Sequence, residues 1–358
     1  SFIVVWITRE NSERSEESRK IFQILRVTIF LSFFISLLNF KKCTKIKQEV
    51  KKGTLIMTKL KADLALLMVT FGWGISYYLT DLSLQDMGPF TLNSNRFIIA
   101  FIVAVLLAFP KLKNISKTTI KFSFLLGGVL VLVYLGATFG TLYTTLSNVG
   151  FLCGLTVIFT PIISSLIYKR LPGKKQTFVI LMSFAGIALL TLKEDFSINY
   201  DNLLGDLLCI MCAVAYAGHL LITEKAVTYE DVNAFHLGVL QLGTTGLFTL
   251  ILAFIFETPH LPSQPKYWGP VLFLSIMCTG VAFIVQCVAQ KYTEASHVGI
   301  IFSMETVFAG IVAFALANEV LSIQSYIGAA LMVASIFIME IDFSKIKIFE
   351  KFQKTTKG

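Results

Sequence analysis

Charge is what this chain has least of. Asp, Glu, Lys and Arg together make up 15% of 358 residues, against 55% hydrophobic residues and a mean hydropathy of +0.74. A soluble fold of this length needs far more charge to cover its surface. Histidine is scarce as well: there are four, and their scatter lacks metal-ligand spacing. The six cysteines build no framework, because Cys153, Cys209, Cys212, Cys278 and Cys287 fall inside apolar stretches and Cys43 in the N-terminal region. Cys209 and Cys212 have the spacing of a redox or zinc pair but no partner ligands, and read as small packing residues. No Walker phosphate loop or dinucleotide fingerprint stands in a plausible context, so ATP-driven work by this chain alone is unsupported. Neither a cofactor nor a metal is expected.

Long apolar runs are abundant instead. Stretches of about 18–22 residues recur from Leu64 to Ile341, each long enough to cross a hydrocarbon layer of ~30 Å. The 32 Phe residues suit lipid-facing helices. In a soluble protein a net charge of +9 and a pI near 9.2 would suggest nucleic acid. Here they record topology, since Lys and Arg accumulate in cytoplasmic loops. The lipid bilayer is the expected partner, and nucleic acid is not.

The chain reads as an all-α polytopic membrane protein with ten transmembrane helices. The first five are Asp63–Thr80, Phe90–Phe109, Ile120–Thr141, Ser147–Tyr168 and Thr177–Leu192. The second five are Leu203–Thr223, Ala234–Phe256, Gly269–Gln290, His297–Ala317 and Ser322–Ile341. Short connections carry breakers, such as Gly88-Pro89 and Leu171-Pro172-Gly173. With the first helix starting inside, seventeen Lys and Arg residues fall on the cytoplasmic side, and only Lys193 and Lys266 fall outside. That asymmetry places both termini in the cytoplasm and the protein in the cytoplasmic (inner) membrane.

The two halves are copies. Ser147 through Ile187 align without gaps on Ser296 through Ile336, with Val149/Val298, Gly150/Gly299, Phe159/Phe308 and Ile162/Ile311 among the identical pairs. Five helices per copy is an odd number, so the second copy enters the bilayer inverted. Inverted repeats around a central cavity are a transporter architecture. The expected division is residues 57–198 for the first repeat, 199–344 for the second, and 345–358 for a basic cytoplasmic tail.

Residues 1–56 stand outside this pattern. The apolar stretch Val27–Phe40 is only 14 residues long, and no small-residue cleavage site follows it. Met57-Thr58-Lys59 looks like a natural start, which makes 1–56 an extension that need not belong to the native protein. An additional membrane-surface helix is the other reading. A mass measurement of the mature N-terminus separates them.

Three passages resemble one family. Phe71-Gly72-Trp73-Gly74-Ile75-Ser76-Tyr77 is similar to the opening motif of the drug/metabolite transporter superfamily, in its members with two EamA repeats. Leu155 to Pro161 resembles that family's fourth helix. Ser303 to Gly310, followed by Ala317-Asn318-Glu319, resembles its ninth. The resemblance implies a ten-helix basket around a cavity lined by helices one to four and six to nine. One departure stands out. Glu319 ends the ninth helix, whereas its mate in the first repeat is Arg170, where many relatives are acidic, so a family-type gating ion pair is not carried over.

Polar groups inside apolar segments supply the site candidates, since an ionised side chain there costs roughly 2.5–3.5 kcal/mol on insertion scales. Arg96, with Asn93 and Asn95 beside it, would either grip a substrate carboxylate or phosphate in the cavity or snorkel to the outer headgroups. Glu305 would bind a proton or complement an amine, or serve as a protonated structural donor. His219 and His297 are further proton-coupling candidates, with interhelical hydrogen bonding as the plainer role. Trp73 and Tyr216 occupy matching places in the first and sixth helices and would wall the cavity or pack against neighbours. Together these features point to a secondary transporter or facilitator of small polar metabolites working by alternating access, and the family resemblance implies an amino acid-like solute and export. Protons are the candidate coupling ion, and a monomer and a homodimer fit equally. The rival is an intramembrane enzyme acting on lipid or a lipid-linked substrate. It would need a clustered acid/base set that Asp81, Asp86, Glu224 and Glu257 do not supply.

Overall fold

The computed structural model describes residues 52–144, 146–169, 171–191, 203–316 and 323–340. The described residues from Met57 onward form one compact unit. The N-terminal extension up to residue 51, the Arg170 and Glu319 positions, and the basic tail lie outside the described residues.

Every described element is helical. In chain order they are α1 (Lys52–Leu84), α2 (Pro89–Ala108), α3 (Lys117–Tyr143), α4 (Leu146–Gly154), α5 (Thr156–Tyr168), α6 (Lys174–Thr191) and α7 (Leu203–Ala226). They continue with α8 (Ala234–Phe256), α9 (Pro265–Ser275), α10 (Ala282–Ala289), α11 (Ala295–Phe302), α12 (Met304–Leu316) and α13 (Ile323–Glu340). Six stretches among the described residues are long and apolar enough to cross a membrane: Lys59–Leu84, Pro89–Lys111, Lys117–Tyr143, Leu203–Ala226, Ala234–Phe256 and Pro265–Ala289. Leu152–Tyr168, Ala295–Ala309 and Tyr326–Ile338 are apolar but shorter. Large side chains such as Leu106, Leu107, Phe254 and Phe256 stand exposed, as hydrocarbon-facing residues do. The protein is an all-α, multi-pass membrane protein.

Helix starts follow their local chemistry. Ser116 caps α3 by accepting from Thr119 N–H at 3.0 Å, and Asn233 caps α8 by accepting from Phe235 N–H at 2.9 Å. Pro89 opens α2, where its missing N–H costs nothing. The next donors of α2 are met from across the fold, because the Glu257 carboxylate at the end of α8 accepts from Phe90 N–H at 3.0 Å and Thr91 N–H at 2.8 Å. A carboxylate at a helix N-terminus also complements its dipole. On the same side, Asp86 accepts from the Ser263 hydroxyl and from Ser263 N–H at 2.9 Å. Slight desolvation pushes the Asp86 carboxyl upward, but the Ser263 hydrogen bonds outweigh it and hold the group below its ordinary range.

Two departures from the sequence expectation concern continuity. The fourth segment is two helices, α4 and α5, meeting at Leu155, and the ninth is likewise α11 and α12, meeting at Ser303. Around Leu155 the backbone bonds shorten to Leu155 N–H→Leu152 O and Ile158 N–H→Leu155 O. Pro161, inside α5, lacks the N–H that would donate to Val157 O, so the first turn of α5 is one hydrogen bond short. Between α9 and α10 the chain makes a π turn over Ile276–Val281, a feature frequent at functional sites.

Close approach explains the glycines that matter most. A Cβ on Gly74 of α1 would lie 2.5 Å from the Phe308 Cβ and 2.8 Å from Ala309 N of α12. Helices α6 and α13 cross with Ser183 and Ser335 hydroxyls 2.8 Å apart. A Cβ on Gly186 there would sit 2.6 Å from Met332 Cγ.

Candidate functional site

Trp73, Ser76, Tyr77 and Thr80 recur at helical spacing on α1, and all four line one cavity of about 90 Å³. That is room for several waters or a small solute. Arg96 of α2, Tyr134 and Thr138 of α3, Thr156 of α5, Tyr216 of α7, Phe283 of α10 and Glu305 of α12 complete most of the wall. Of the residues expected from sequence, Trp73, Arg96, Tyr216 and Glu305 meet here. The other four do not line it.

Arg96 is buried, with 4% of its surface exposed. Its Nε donates to Thr279 Oγ1 at 3.2 Å, and its guanidinium carbon lies 4.8 Å from the centre of the Tyr134 ring. A desolvated cation–π contact of this kind is worth about 2 kcal/mol. The π turn makes the first contact available, since Thr279 and Cys278 both belong to it. Cys278 O accepts from Trp73 Nε1 at 2.7 Å. One irregular turn thus orients both the cation and the indole.

The aromatic floor is continuous. Trp73 and Tyr216 ring centres are 5.9 Å apart, and Phe302 lies 4.8 Å from Trp73 and 6.0 Å from Tyr216. Glu305 sits in the first turn of α12 and Thr156 is the first residue of α5. Each helix break therefore places a polar side chain at a half-helix start on the cavity wall. Tyr77 and Glu305 line the same cavity.

Asn93 lies fully buried behind the wall, exchanging hydrogen bonds of 3.2 Å with Thr138 Oγ1. It is three residues from Arg96 on α2, but it turns toward α3 and fixes a lining residue. Asn95 donates to His260 O at 2.8 Å in the loop after α8. His219 is committed on both nitrogens. Nδ1 is 3.2 Å from Gln286 Nε2, and Nε2 is 2.9 Å from Gln241 Oε1. Those partners require the tautomer with its proton on Nε2. Gln286 Oε1 also accepts from the Tyr216 hydroxyl at 3.0 Å, so the network steadies the floor from beneath. His297 lies 3.4 Å from Asp63 Oδ1, away from the cavity.

Sequence reasoning gave no site role to Tyr77, Tyr134, Thr138, Thr279 or Phe283. Spacing from Trp73 marks Tyr77, one turn along the same face. No comparable signal marks Thr279, whose role depends on the π turn.

Comparison with known proteins is consistent over nearly the whole described chain. The model of the EamA-like transporter family matches twice, at residues 60–192 and 203–341. An uncharacterized transporter of Archaeoglobus fulgidus is 30% identical over 302 residues, spanning 84% of this chain and 92% of that one. The uncharacterized transporter YoaV of Bacillus subtilis is 23% identical over 295 residues, spanning 81% of this chain and 100% of its own. A solved crystal structure superposes with a TM-score of 0.65 at 16% identity, covering 78% of this chain and 96% of the other, a likeness of fold.

Proposed function

The chain belongs to the EamA-like transporter family and moves small solutes across a membrane by secondary transport; from that premise we propose that its cavity takes an amino acid-like zwitterion and exports it. The observation that carries this reading is that Arg96 and Glu305 line one small cavity floored by Trp73 and Tyr216. A planar guanidinium holds a carboxylate through two parallel hydrogen bonds. A carboxyl within the same cavity complements an ammonium, and an aromatic floor accepts a modest side chain or the cation itself. The two charged groups come from α2 and α12, one in each matched stretch.

The transport cycle in this reading is alternating access by ten helices in two inverted five-helix repeats, residues 57–198 and 199–344. In support, the family model matches twice in succession, at residues 60–192 and 203–341. The fourth and ninth segments also break within one residue of matching places, at Leu155 and Ser303. Broken helices at the bilayer midplane are a recurrent way of building solute sites. Both termini face the cytoplasm. Glu305 is the leading proton-coupling group, with His297 and the doubly bonded His219 behind it. Two of the four carboxylates that an intramembrane enzyme would draw on are otherwise occupied, Glu257 on the start of α2 and Asp86 on Ser263.

Flux into proteoliposomes tests the substrate class. Exchange of a neutral amino acid is expected to be competed by other amino acids, and poorly by the matching amide or decarboxylated amine. Equal competition by the decarboxylated amine would remove the carboxylate from recognition, and chemical conversion of the solute would favour the enzyme. Orientation has its own check. In intact cells a cysteine at Gln264 should react with an impermeant thiol reagent, while cysteines at Lys113 and Lys174 should not. Labelling at Lys113 from outside would invert every inside and outside assignment.

A further inference from the structure

The two matched stretches carry one acidic residue in the same place. Aligning Trp73 with Tyr216 also pairs Asp63 with Asp206, Leu64 with Leu207, Met68 with Met211 and Thr80 with Thr223. Extending the fourth-helix alignment backward pairs Tyr143 with Tyr292 and Thr144 with Thr293. The structure treats these mates differently. Thr144 Oγ1, at the end of α3, donates to Asp206 Oδ1 of α7 at 2.6 Å. The mates of that bond, Asp63 and Thr293, are both buried. Among the described residues neither Asp63 oxygen accepts a hydrogen bond, and Thr293 Oγ1 has no partner. Asp63 faces His297 of α11 instead, at 3.4 Å, with exposures of 7% and 5%.

The asymmetry follows the cavity. On α1 its lining runs from Trp73 to Thr80, toward the helix end, and on α3 from Val133 to Thr141, again toward the end. Asp63 lies ten residues before Trp73, about 15 Å along α1, at the end the cavity does not reach. So the bond between Asp206 and Thr144 is made toward the end that the cavity lining approaches, and its mate is unmade at the end that this lining does not reach. A buried carboxylate and a buried hydroxyl that both lack hydrogen bonds are unfavourable. A conformation that joins them relieves both at once.

Resting on the inverted-repeat reading, we propose that Asp63 is a positioning residue that changes partner during transport. It faces His297 while the end where α1 begins is closed, and takes the Thr293 hydroxyl when that end opens. Asp206 makes the reciprocal exchange, giving up Thr144 as its own end closes. The two conformations thereby swap the environments of matched residues.

Thiol labelling measures this without any solute. Thr160 of α5 is fully buried and packs on Gly299 of α11, so a cysteine there reports separation at the closed end. The full chain, with its native cysteines replaced by alanine and Thr160→Cys added, is reconstituted in nanodiscs with both faces open to maleimide. Thr144→Val, which removes the bond present here, should raise the labelling rate about fivefold, the effect of one hydrogen bond on a two-state ratio. Thr293→Val, which removes the bond of the other state, should lower it by a similar factor. In an Asp63→Ala background Thr293→Val should have no further effect. Valine keeps the shape of threonine, and unchanged melting temperatures confirm folding. If Thr144→Val fails to fold, the cycle between Thr293 and Asp63 decides alone. Changes of the same sign, an unchanged rate in Thr293→Val, or an equal effect of Thr293→Val with and without Asp63 would each overturn the proposal. Because no solute is involved, these outcomes are independent of the zwitterion assignment.

Discussion

Arg96→Gln is expected to lower amino acid exchange about 10- to 100-fold, with the protein still inserted and monodisperse. The range follows from a charge-assisted contact of about 1.5–3 kcal/mol. The loss should fall on handling of the anionic end, so that a decarboxylated amine is transported no worse by the variant than by the parent. Arg96→Lys should recover little. An ammonium cannot present a planar fork, and it would have to leave both the 3.2 Å bond to Thr279 and the Tyr134 face. Glutamine keeps much of the side-chain volume, so a general packing defect would show in the melting temperature as well. Exchange in Arg96→Gln equal to that of the parent would make Arg96 a structural brace between α2 and the π turn.

Glu305→Gln separates coupling from binding. As the proton-coupling group, Glu305 should be replaceable by Gln with loss of nearly all accumulation driven by a pH gradient. Solute exchange at equilibrium should persist, because an amide keeps the shape and hydrogen bonding of a protonated carboxyl but carries no titratable proton. Glu305→Ala should impair both, since it also removes volume and a polar group from the cavity wall. Paired uptake and exchange measurements on the two variants discriminate. Gradient-driven uptake that survives in Glu305→Gln would leave the residue a structural or solute-binding role, and would turn attention to His297.

How much of this was legible beforehand varies with the kind of feature. The membrane class and helical architecture followed from run length and the scarcity of charge, because the bilayer punishes departures so heavily. On α1 Trp73 alone was singled out, although Ser76, Tyr77 and Thr80 follow it at helical spacing and share the cavity. The partners of isolated polar residues were not legible. Asn93 and Arg96 sit three apart, yet one serves α3 and the other the π turn, because neighbouring backbones decide which donor each helix face meets. The breaks at Leu155 and Ser303 were hidden for a related reason. No proline stands at Ser303, and apolar composition carries no record of where a helix changes axis. His219 looked titratable in sequence only because Gln241 and Gln286, which hold both of its nitrogens, come from distant segments.

The crossing of α6 and α13 has a geometrical property of its own. Ser183 meets Ser335, and Gly186 meets Met332. Shifting each residue to its mate 149 positions away turns the first contact into the second. On the inverted-repeat reading proposed above, a contact set that maps onto itself in this way lies on the two-fold axis relating the halves. Points on such an axis are fulcrum points: when the halves trade conformations, everything else is carried to a new setting while the pin of the hinge stays put. A spin-label pair straddling this crossing should therefore give one distance distribution throughout the cycle, a built-in ruler against which motion elsewhere is read.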